Sequence, residues 1–360
     1  MFKGRKRRVA AAAQKAGVDA LLITHAPDVR YLTGFTGSNA AVLVRGARAD
    51  LFTDGRYTTQ AAQEVEGASI TIADHPVAFA ACESAVAAGA KRCGFDSAQM
   101  TVRAAESLRA SLPAAVRKRF LVATPGLLAG LREIKDEVEQ DQMRAAAALG
   151  CRLFDQLLEH IVPSATEMEV AMALEFMARL EGAERMSFET IVAGGERSAL
   201  PHGRATLAKI PRRGFVVLDF GVVLDGYCSD MTRTVHMGAA RKGEREVYEA
   251  VLDAQEAALS KVRAGVAAEA VDQAARDVFE AAGLEEAFTH STGHGVGLEI
   301  HEGPKLGRKQ TQTLKAGMVV TIEPGVYLPG RFGIRIEDTV LVTKSGYENL
   351  TPTTKAWLEL

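Results

Sequence analysis

Long apolar runs are missing from this chain of 360 residues. None approaches the ~18 consecutive apolar residues of a membrane span, so no membrane-spanning helix and no membrane partner are expected. The basic start is not followed by the apolar core of a secretory leader, because residues 9–22 are broken by Gln14, Lys15 and Asp19. Cysteine is scarce. Cys82, Cys93, Cys151 and Cys228 show no Cys-x-x-Cys spacing, which argues against a thiolate zinc site or a disulfide framework and predicts free thiols in the cytoplasm. An excess of one charge is also missing. A formal charge of −2 gives no pull toward nucleic acid, so no nucleic-acid partner is expected. The one local exception, Lys3-Gly-Arg5-Lys6-Arg7-Arg8, reads as a solvated first helical turn.

What is present is ordinary for a globular protein: 47% hydrophobic and 24% charged residues. The length predicts about two domains. In the first part, helices at 9–16 and 58–65 alternate with strands at 20–24, 40–45, 50–53, 71–73 and 92–95, the pattern of an α/β unit. The break Thr124-Pro-Gly126 places the boundary near residues 125–135, giving domains of 1–130 and 131–360. A long helix is predicted from 136 to 160. Thr166-Glu-Met-Glu169 is a capping box opening a helix to about Leu180. Two amphipathic helices follow, at 245–263 and 268–282.

The chemistry lies in the second part. Asp219, Asp230, His294, Glu323 and Glu337 all sit in strand-like or glycine-flanked segments. Carboxylates do not belong in apolar strands unless something cationic neutralises them. A pair of divalent cations would do so, and the set reads as a two-metal hydrolase. The segment also repeats itself: Pro-His202-Gly, Val-Val-Leu-Asp219-Phe-Gly and Asp230 are echoed by Ile-His301-Glu-Gly, Val-Val-Thr-Ile-Glu323-Pro-Gly and Glu337. The spacings are 17 and 11 residues in the first copy and 22 and 14 in the second.

Asp219 and Asp230 flank Leu224-Asp225-Gly226, a hairpin signal that predicts them nearly opposite one another across a two-stranded ladder. Glu337 is expected inside a continuous strand over 334–343, with Arg335 on the same face as its hydrogen-bonding support. His294 lies between two glycines, where backbone can approach closely. Four carboxylates and one imidazole favour Mn²⁺, with Co²⁺, Fe²⁺ or Zn²⁺ as alternatives. The expected nucleophile is a hydroxide shared by two metals, with Glu323 as its general base. His202 and His301 are candidates for stabilising the oxyanion, and His290 for binding the substrate or the oxyanion. Cys228 falls on the Asp230 face by parity and reads as a small core residue.

These motifs resemble the pita-bread metallopeptidases of the aminopeptidase P, prolidase and methionine aminopeptidase group. The likeness rests on Leu-Asp219-Phe-Gly, Tyr-Cys-Ser-Asp230-Met-Thr-Arg-Thr, His290-Ser-Thr-Gly-His294-Gly-Val-Gly-Leu-Glu-Ile-His301-Glu-Gly-Pro, Ile-Glu323-Pro-Gly-Val-Tyr and Arg-Ile-Glu337-Asp-Thr. Arg30-Tyr-Leu-Thr-Gly-Phe-Thr-Gly37 and Thr53-Asp-Gly-Arg-Tyr-Thr-Thr59 resemble the creatinase-type N-terminal domain. The resemblance covers nearly the whole chain. It implies an α+β protein: a pita-bread catalytic domain with an internal pseudo-repeat, preceded by a smaller α/β domain. It implies that Asp219 serves one metal and His294 with Glu323 the other, while Asp230 and Glu337 bridge them. It also implies catalytic or substrate roles for His202, His290 and His301, and a homodimer.

An intact ligand set together with the N-terminal domain narrows the expected activity to cleavage of the N-terminal Xaa-Pro bond of proline-containing peptides. Aminopeptidase P, which accepts longer peptides, is preferred over prolidase, which cuts only dipeptides. A different hydrolase or a binding protein on the same fold is the remote alternative. A prolidase needs a cation for the proline carboxylate, and Arg204 and Arg331 are candidates. His25 and Asp28 depart from the asparagine that the resemblance leads one to expect before Arg30-Tyr-Leu.

Overall fold

The structure, a computed structural model, describes residues 2–360. The chain forms two compact units, Met1–Arg132 and Glu133–Leu360.

The first unit is built on a six-stranded sheet ordered Ser69–Ile72, Arg48–Thr53, Ala40–Arg45, Ala20–Ile23, Cys93–Phe95, Leu121–Ala123. The Ala20–Ile23, Ala40–Arg45 and Arg48–Thr53 neighbours are antiparallel and the remaining pairs parallel. Small residues on the helix Val77–Ala87 let it lie close on the sheet: Ala80, Ala81, Cys82 and Ala85 pack with Leu22, Leu43, Phe52 and Phe95. The basic run does start a helix, Phe2–Lys15, but it is not uniformly solvated. Arg5 and Lys6 are buried while Lys3 and Arg7 are exposed. Arg5 donates to the Tyr31 carbonyl at 3.0 Å with its guanidinium 4.5 Å from the Tyr31 ring, and Lys6 donates to the Gly67 carbonyl. Long basic side chains can cover apolar surface when their ends find acceptors. Asp28 is buried as well, between His25 Nδ1 at 3.1 Å and Arg132 at 2.7 Å.

In the second unit the helix Glu137–Leu157 carries a capping box of its own, Asp136 with Glu139. The capping box expected at Thr166 is formed: Glu169 N donates to Thr166 Oγ1 at 3.1 Å and Thr166 N to Glu169 Oε2 at 2.7 Å, opening the helix Glu167–Leu180. The helices Glu244–Lys261 and Ala268–Ala281 share a core with the strands Val319–Ile322 and Asp338–Val342.

The strands show the internal repeat. In the first copy Gly214–Phe220 pairs antiparallel with Met231–Met237, and between them Val222–Leu224 and Tyr227–Cys228 form a separate hairpin. In the second copy Val319–Ile322 pairs with Asp338–Val342, and between them Gly325–Leu328 and Phe332–Arg335 form the hairpin. Each copy is thus strand, break, strand, turn, strand, break, strand. The first turn has Asp225 and Gly226 at φ 48° and 83°, the primed two-residue turn that its sequence predicts.

Candidate metal centre

The four carboxylates gather where the two repeats break. Asp219 stands one residue before the end of Gly214–Phe220, and Asp230 immediately precedes Met231–Met237. Glu323 follows Val319–Ile322, and Glu337 lies between Phe332–Arg335 and Asp338–Val342. Two expectations are corrected here. Thr232, not Asp230, is opposite Asp219 in the ladder, and Asp230 lies two residues back. Glu337 is not inside a continuous strand. The chain must leave the ladder that pairs Arg335 with Gly325 and join the one that pairs Asp338 with Ile322, so Ile336 and Glu337 form a break. Apolar alternation runs on through such a change of partner, which is why the sequence reads as one strand.

These breaks bring Asp219, Asp230 and Glu337 together, with one oxygen of each inside a 4.8 Å span. His294 Nε2 is 3.4 Å from Glu323 Oε1 and 3.6 Å from Asp230 Oδ2. The glycines beside His294 are required by space: a Cβ on Gly293 would lie 1.9 Å from the Thr321 carbonyl oxygen, and one on Gly295 2.1 Å from that of Gly303. The His294 Nδ1 atom is 3.0 Å from the Gly295 carbonyl oxygen, which fixes the proton on Nδ1 and leaves the Nε2 lone pair toward the carboxylates.

The electrostatics ask for a cation. Burial, joined by the neighbouring carboxylates, holds Asp230 and Glu337 well above the usual carboxyl range, and burial pushes Glu323 up to about 8. Burial holds His294 and His290 down near 4 and lowers His301, so these rings stay neutral. Glu337 Oε2 accepts from Thr232 Oγ1 at 2.7 Å, whereas its Oε1 is buried with no partner. A buried orphan oxygen is costly. Beside other carboxylate oxygens and an imidazole, it fits a divalent ion bound mainly by oxygen.

Arg335 is buried and hydrogen-bonds to the cluster. It donates to Asp219 Oδ2 at 2.5 Å, to Thr232 Oγ1 at 3.1 Å and to the Pro201 carbonyl at 3.1 Å. It also donates to Tyr327 Oη at 2.5 Å, and Tyr327 in turn meets His290 Nε2 at 3.0 Å. His290 Nδ1 lies 2.9 Å from the Ser291 carbonyl oxygen, so its Nε2 accepts from the tyrosine. The site thus contains an unbroken chain from Asp219 through Arg335 and Tyr327 to His290. His301 packs edge-on against His294 with ring centroids 4.4 Å apart.

His202, His290, His294 and His301 line one cavity of about 650 Å³ with Asp219, Asp230, Glu323 and Glu337. Phe188, Ile191 and Ile300 supply apolar wall, and Arg204 and Lys305 supply cations. Arg204 is paired with Glu189 at 2.9 Å, and Arg331 lies over the Phe332 ring and does not line this cavity. Cys228 is buried and its thiol is pushed up to about 11 by burial, as suits a core residue.

Sequence reading missed several contributors. Thr232 and Tyr327 lie within the quoted motifs, but their partners are distant in the chain. Lys305 lies four residues beyond His301. Asp272 and Arg276 lie outside every motif, though their i,i+4 spacing on a predicted helix was legible. Asp272 accepts from Thr292 N at 3.0 Å and Thr292 Oγ1 at 2.8 Å, and Arg276 donates to the His290 carbonyl at 2.8 Å. The pair, itself joined at 2.7 Å, ties the segment carrying His290 and His294 to the helix Ala268–Ala281.

Buried carboxylates and an imidazole around an orphaned oxygen, on the floor of a histidine-lined cavity, are the makeup of a metal-dependent hydrolase. Comparison with known proteins makes this specific. Residues 141–344 match metallopeptidase family M24, and residues 5–134 match the creatinase/prolidase N-terminal domain. The chain belongs to metallopeptidase family M24, with the pita-bread fold behind a creatinase-type N-terminal domain. It is 35% identical to the Xaa-Pro dipeptidase of Pyrococcus horikoshii over 94% of each chain. Among solved structures it is similar to an Xaa-Pro dipeptidase from Bacillus anthracis (TM-score 0.95, 37% identity, 100% of both chains). It is also similar to an X-Pro aminopeptidase from Thermotoga maritima (TM-score 0.90, 34% identity, 97% of this chain and 100% of that one).

Proposed function

We propose that this metallopeptidase hydrolyses the bond between an N-terminal residue and a following proline. The observation that carries the metal-dependent reading is the buried, unpartnered Glu337 Oε1 beside Asp219 and Asp230. Asp219, Asp230, His294, Glu323 and Glu337 are the proposed ligands of two divalent cations, Mn²⁺ first among the candidates. Asp230 and Glu337, the most deeply buried of these acids, would be held in common if two ions bind. Such cations, when bound, polarise a carbonyl and acidify water.

The chain's own residues supply the rest. Glu323, at a strand end, is placed to take a proton from the attacking water and pass it to the departing proline nitrogen. His202 and His301 face the same cavity as donors to the developing oxyanion. His290, its ring fixed by Ser291 and Tyr327, borders the cavity and orients the substrate by packing against it. Arg335 fixes Asp219 and, through Thr232, the orientation of Glu337. The catalytic domain is taken as residues 131–360 and the N-terminal domain as 1–130.

Substrate length is the finer question. The similarity to proteins named Xaa-Pro dipeptidase supports the dipeptide reading at least as well as the longer-peptide reading preferred from sequence. Lys305 adds to it as a cation on the cavity wall, suited to a proline carboxylate. We further propose a homodimer acting in the cytoplasm. The four cysteines are free, and among the described residues no helix is long and apolar enough to cross a membrane.

The test is turnover of Ala-Pro and Ala-Pro-Ala by the Mn²⁺-loaded protein, with a chelator as control. Cleavage of Ala-Pro alone makes it a dipeptidase, with Lys305→Met raising its KM. Cleavage of the tripeptide makes it an aminopeptidase P. Cleavage of neither, with two metals bound, sinks the Xaa-Pro assignment.

A further inference from the structure

His202 borders the cavity with an exposed side chain, and among the described residues no hydrogen bond reaches its ring. Its place is therefore set by the backbone that carries it, residues 195–205, between the strand Ile191–Gly194 and Thr206. That segment has little regular structure of its own. After the 3₁₀ turn Gly195–Ala199 it doubles back tightly, with Gly203 N donating to the Leu200 carbonyl at 3.0 Å and Arg204 N to the His202 carbonyl at 2.9 Å.

Both ends of the segment are fastened to one side chain. Glu167, the first residue of the helix Glu167–Leu180, is fully buried. On the near side of His202, its Oε1 accepts from Gly194 N at 2.9 Å. On the far side, its Oε2 accepts from Thr206 N at 3.0 Å and from Thr206 Oγ1 at 2.7 Å. Arg197 joins the two ends: its Nε lies 3.1 and 3.0 Å from the two carboxylate oxygens, and its Nη2 donates to the Arg204 carbonyl at 2.7 Å. A buried carboxylate is costly unless its charge is matched and its lone pairs are filled. Here one guanidinium and three further donors do both, and all of them come from this segment or the residues that bound it. The segment is also tied to the second repeat. Gly333 N donates to Ser198 Oγ at 2.8 Å and Arg335 to the Pro201 carbonyl at 3.1 Å, so His202 is referred to the same strand, Phe332–Arg335, whose arginine holds Asp219.

We infer that Glu167 is a positioning residue for His202: it fixes where that imidazole stands beside the metal centre without lining the cavity itself. This role rests on the reading of His202 as a donor to the oxyanion. Such a donor is effective only where the charge develops, and a ring with no hydrogen bond of its own moves with its backbone. Glu167 thereby joins the metallopeptidase chemistry from outside every motif that carries it.

The experiment is a double-mutant cycle on the full-length, Mn²⁺-loaded protein, read by Ala-Pro turnover and by hydrogen exchange. Glu167→Gln keeps the shape of the side chain but turns an amide NH₂, which cannot accept, toward these donors. It is expected to lower kcat about 10–100-fold with KM little changed and two metals still bound. Thr206→Val cuts one of the same links and should lower kcat about 3–10-fold, while Thr206→Ser restores it; this gentler pair carries the cycle if Glu167→Gln does not fold. In a His202→Ala background either substitution should have no further effect. Exchange should rise across residues 195–205 and stay unchanged in the strand Gly214–Phe220. Losses that add in the double variant, or unchanged exchange across 195–205, overturn the inference and leave Glu167 a general support of the fold. Wild-type turnover by His202→Ala defeats it too, though Xaa-Pro cleavage stands. A wild type that cuts neither Ala-Pro nor Ala-Pro-Ala overturns the Xaa-Pro reading instead, and the exchange result alone then decides whether Glu167 holds His202 in place.

Discussion

Glu337 and Asp338 are neighbours in the chain, equally buried, and opposite in their circumstances. Asp338 meets Arg233 at 2.9 Å, Lys355 at 2.7 Å and Gln255 Nε2 at 2.9 Å. Arg233 in turn donates to the carbonyls of Thr351 and Thr353 at 2.8 and 3.0 Å, so this side of the break is a neutralised cluster that ties down the end of the chain. Glu337 points the other way, toward two more carboxylates, with one hydroxyl donor and one orphaned oxygen. One side of the break is closed with charges matched inside the protein. The other is left short of positive charge. These two buried carboxylates are therefore not alike: Asp338, with its cations inside the protein, holds the fold, and Glu337, with an oxygen left over, is where a metal belongs.

The largest effect that follows from this contrast is on chemistry. Glu323→Gln removes the proposed proton acceptor and is expected to lower kcat by about 10²–10⁴-fold in a protein whose circular dichroism is unchanged. Steady-state turnover of Ala-Pro checks it, and activity near wild type would move the general base elsewhere. A smaller loss is expected one layer out. Arg276→Met frees the His290 carbonyl and leaves Asp272 without its cation, so kcat should fall about 10–100-fold while two metals remain bound. Loss of metal on the same scale as activity would show that the pair merely supports the fold of the site.

A gentler probe is pH. Asp230, Glu337 and Glu323 have carboxyl pKa values raised in the folded, metal-free protein. Above the unfolded carboxyl range the folded state then binds more protons than the unfolded state, so metal-free stability falls as pH rises, for Glu323 up to about 8. Metal ions replace those protons. The gain in Tm on adding Mn²⁺ should grow from pH 6 to pH 8 by roughly a few degrees, as differential scanning calorimetry would record. A gain that shrinks over that interval contradicts the assignment.

Much of the candidate site was legible because its acids and histidines are local signals. Each acid sits in an apolar, glycine-marked segment, and the repeat of histidine, acid, acid is visible in the residues themselves. The hairpin at Asp225-Gly226 followed from turn chemistry. The strand breaks at Asp230 and Glu337 were not legible, because a change of pairing partner leaves the apolar alternation intact. Arg335 was read as a support from its place beside Glu337, but its partner was not legible: it reaches Asp219 across 116 residues, and Arg233 reaches Asp338 across 105. Such contacts are fixed by packing, and no local pattern encodes them. Arg5 and Lys6 illustrate the same point, since their burial depends on carbonyl groups at Tyr31 and Gly67.

The most direct test compares the two neighbours in metal-free protein at pH 8. Urea denaturation of Glu337→Gln and Asp338→Asn, each beside wild type, reads the contrast as free energy. Asp338→Asn strands the buried Arg233 and should cost about 3–5 kcal/mol. Glu337→Gln removes a buried charge that has no cation and should leave stability unchanged or higher, while Mn²⁺ no longer stabilises the variant as it does wild type. Equal destabilisation by both substitutions would contradict the claim that one side of this break is built for a metal and the other for the fold.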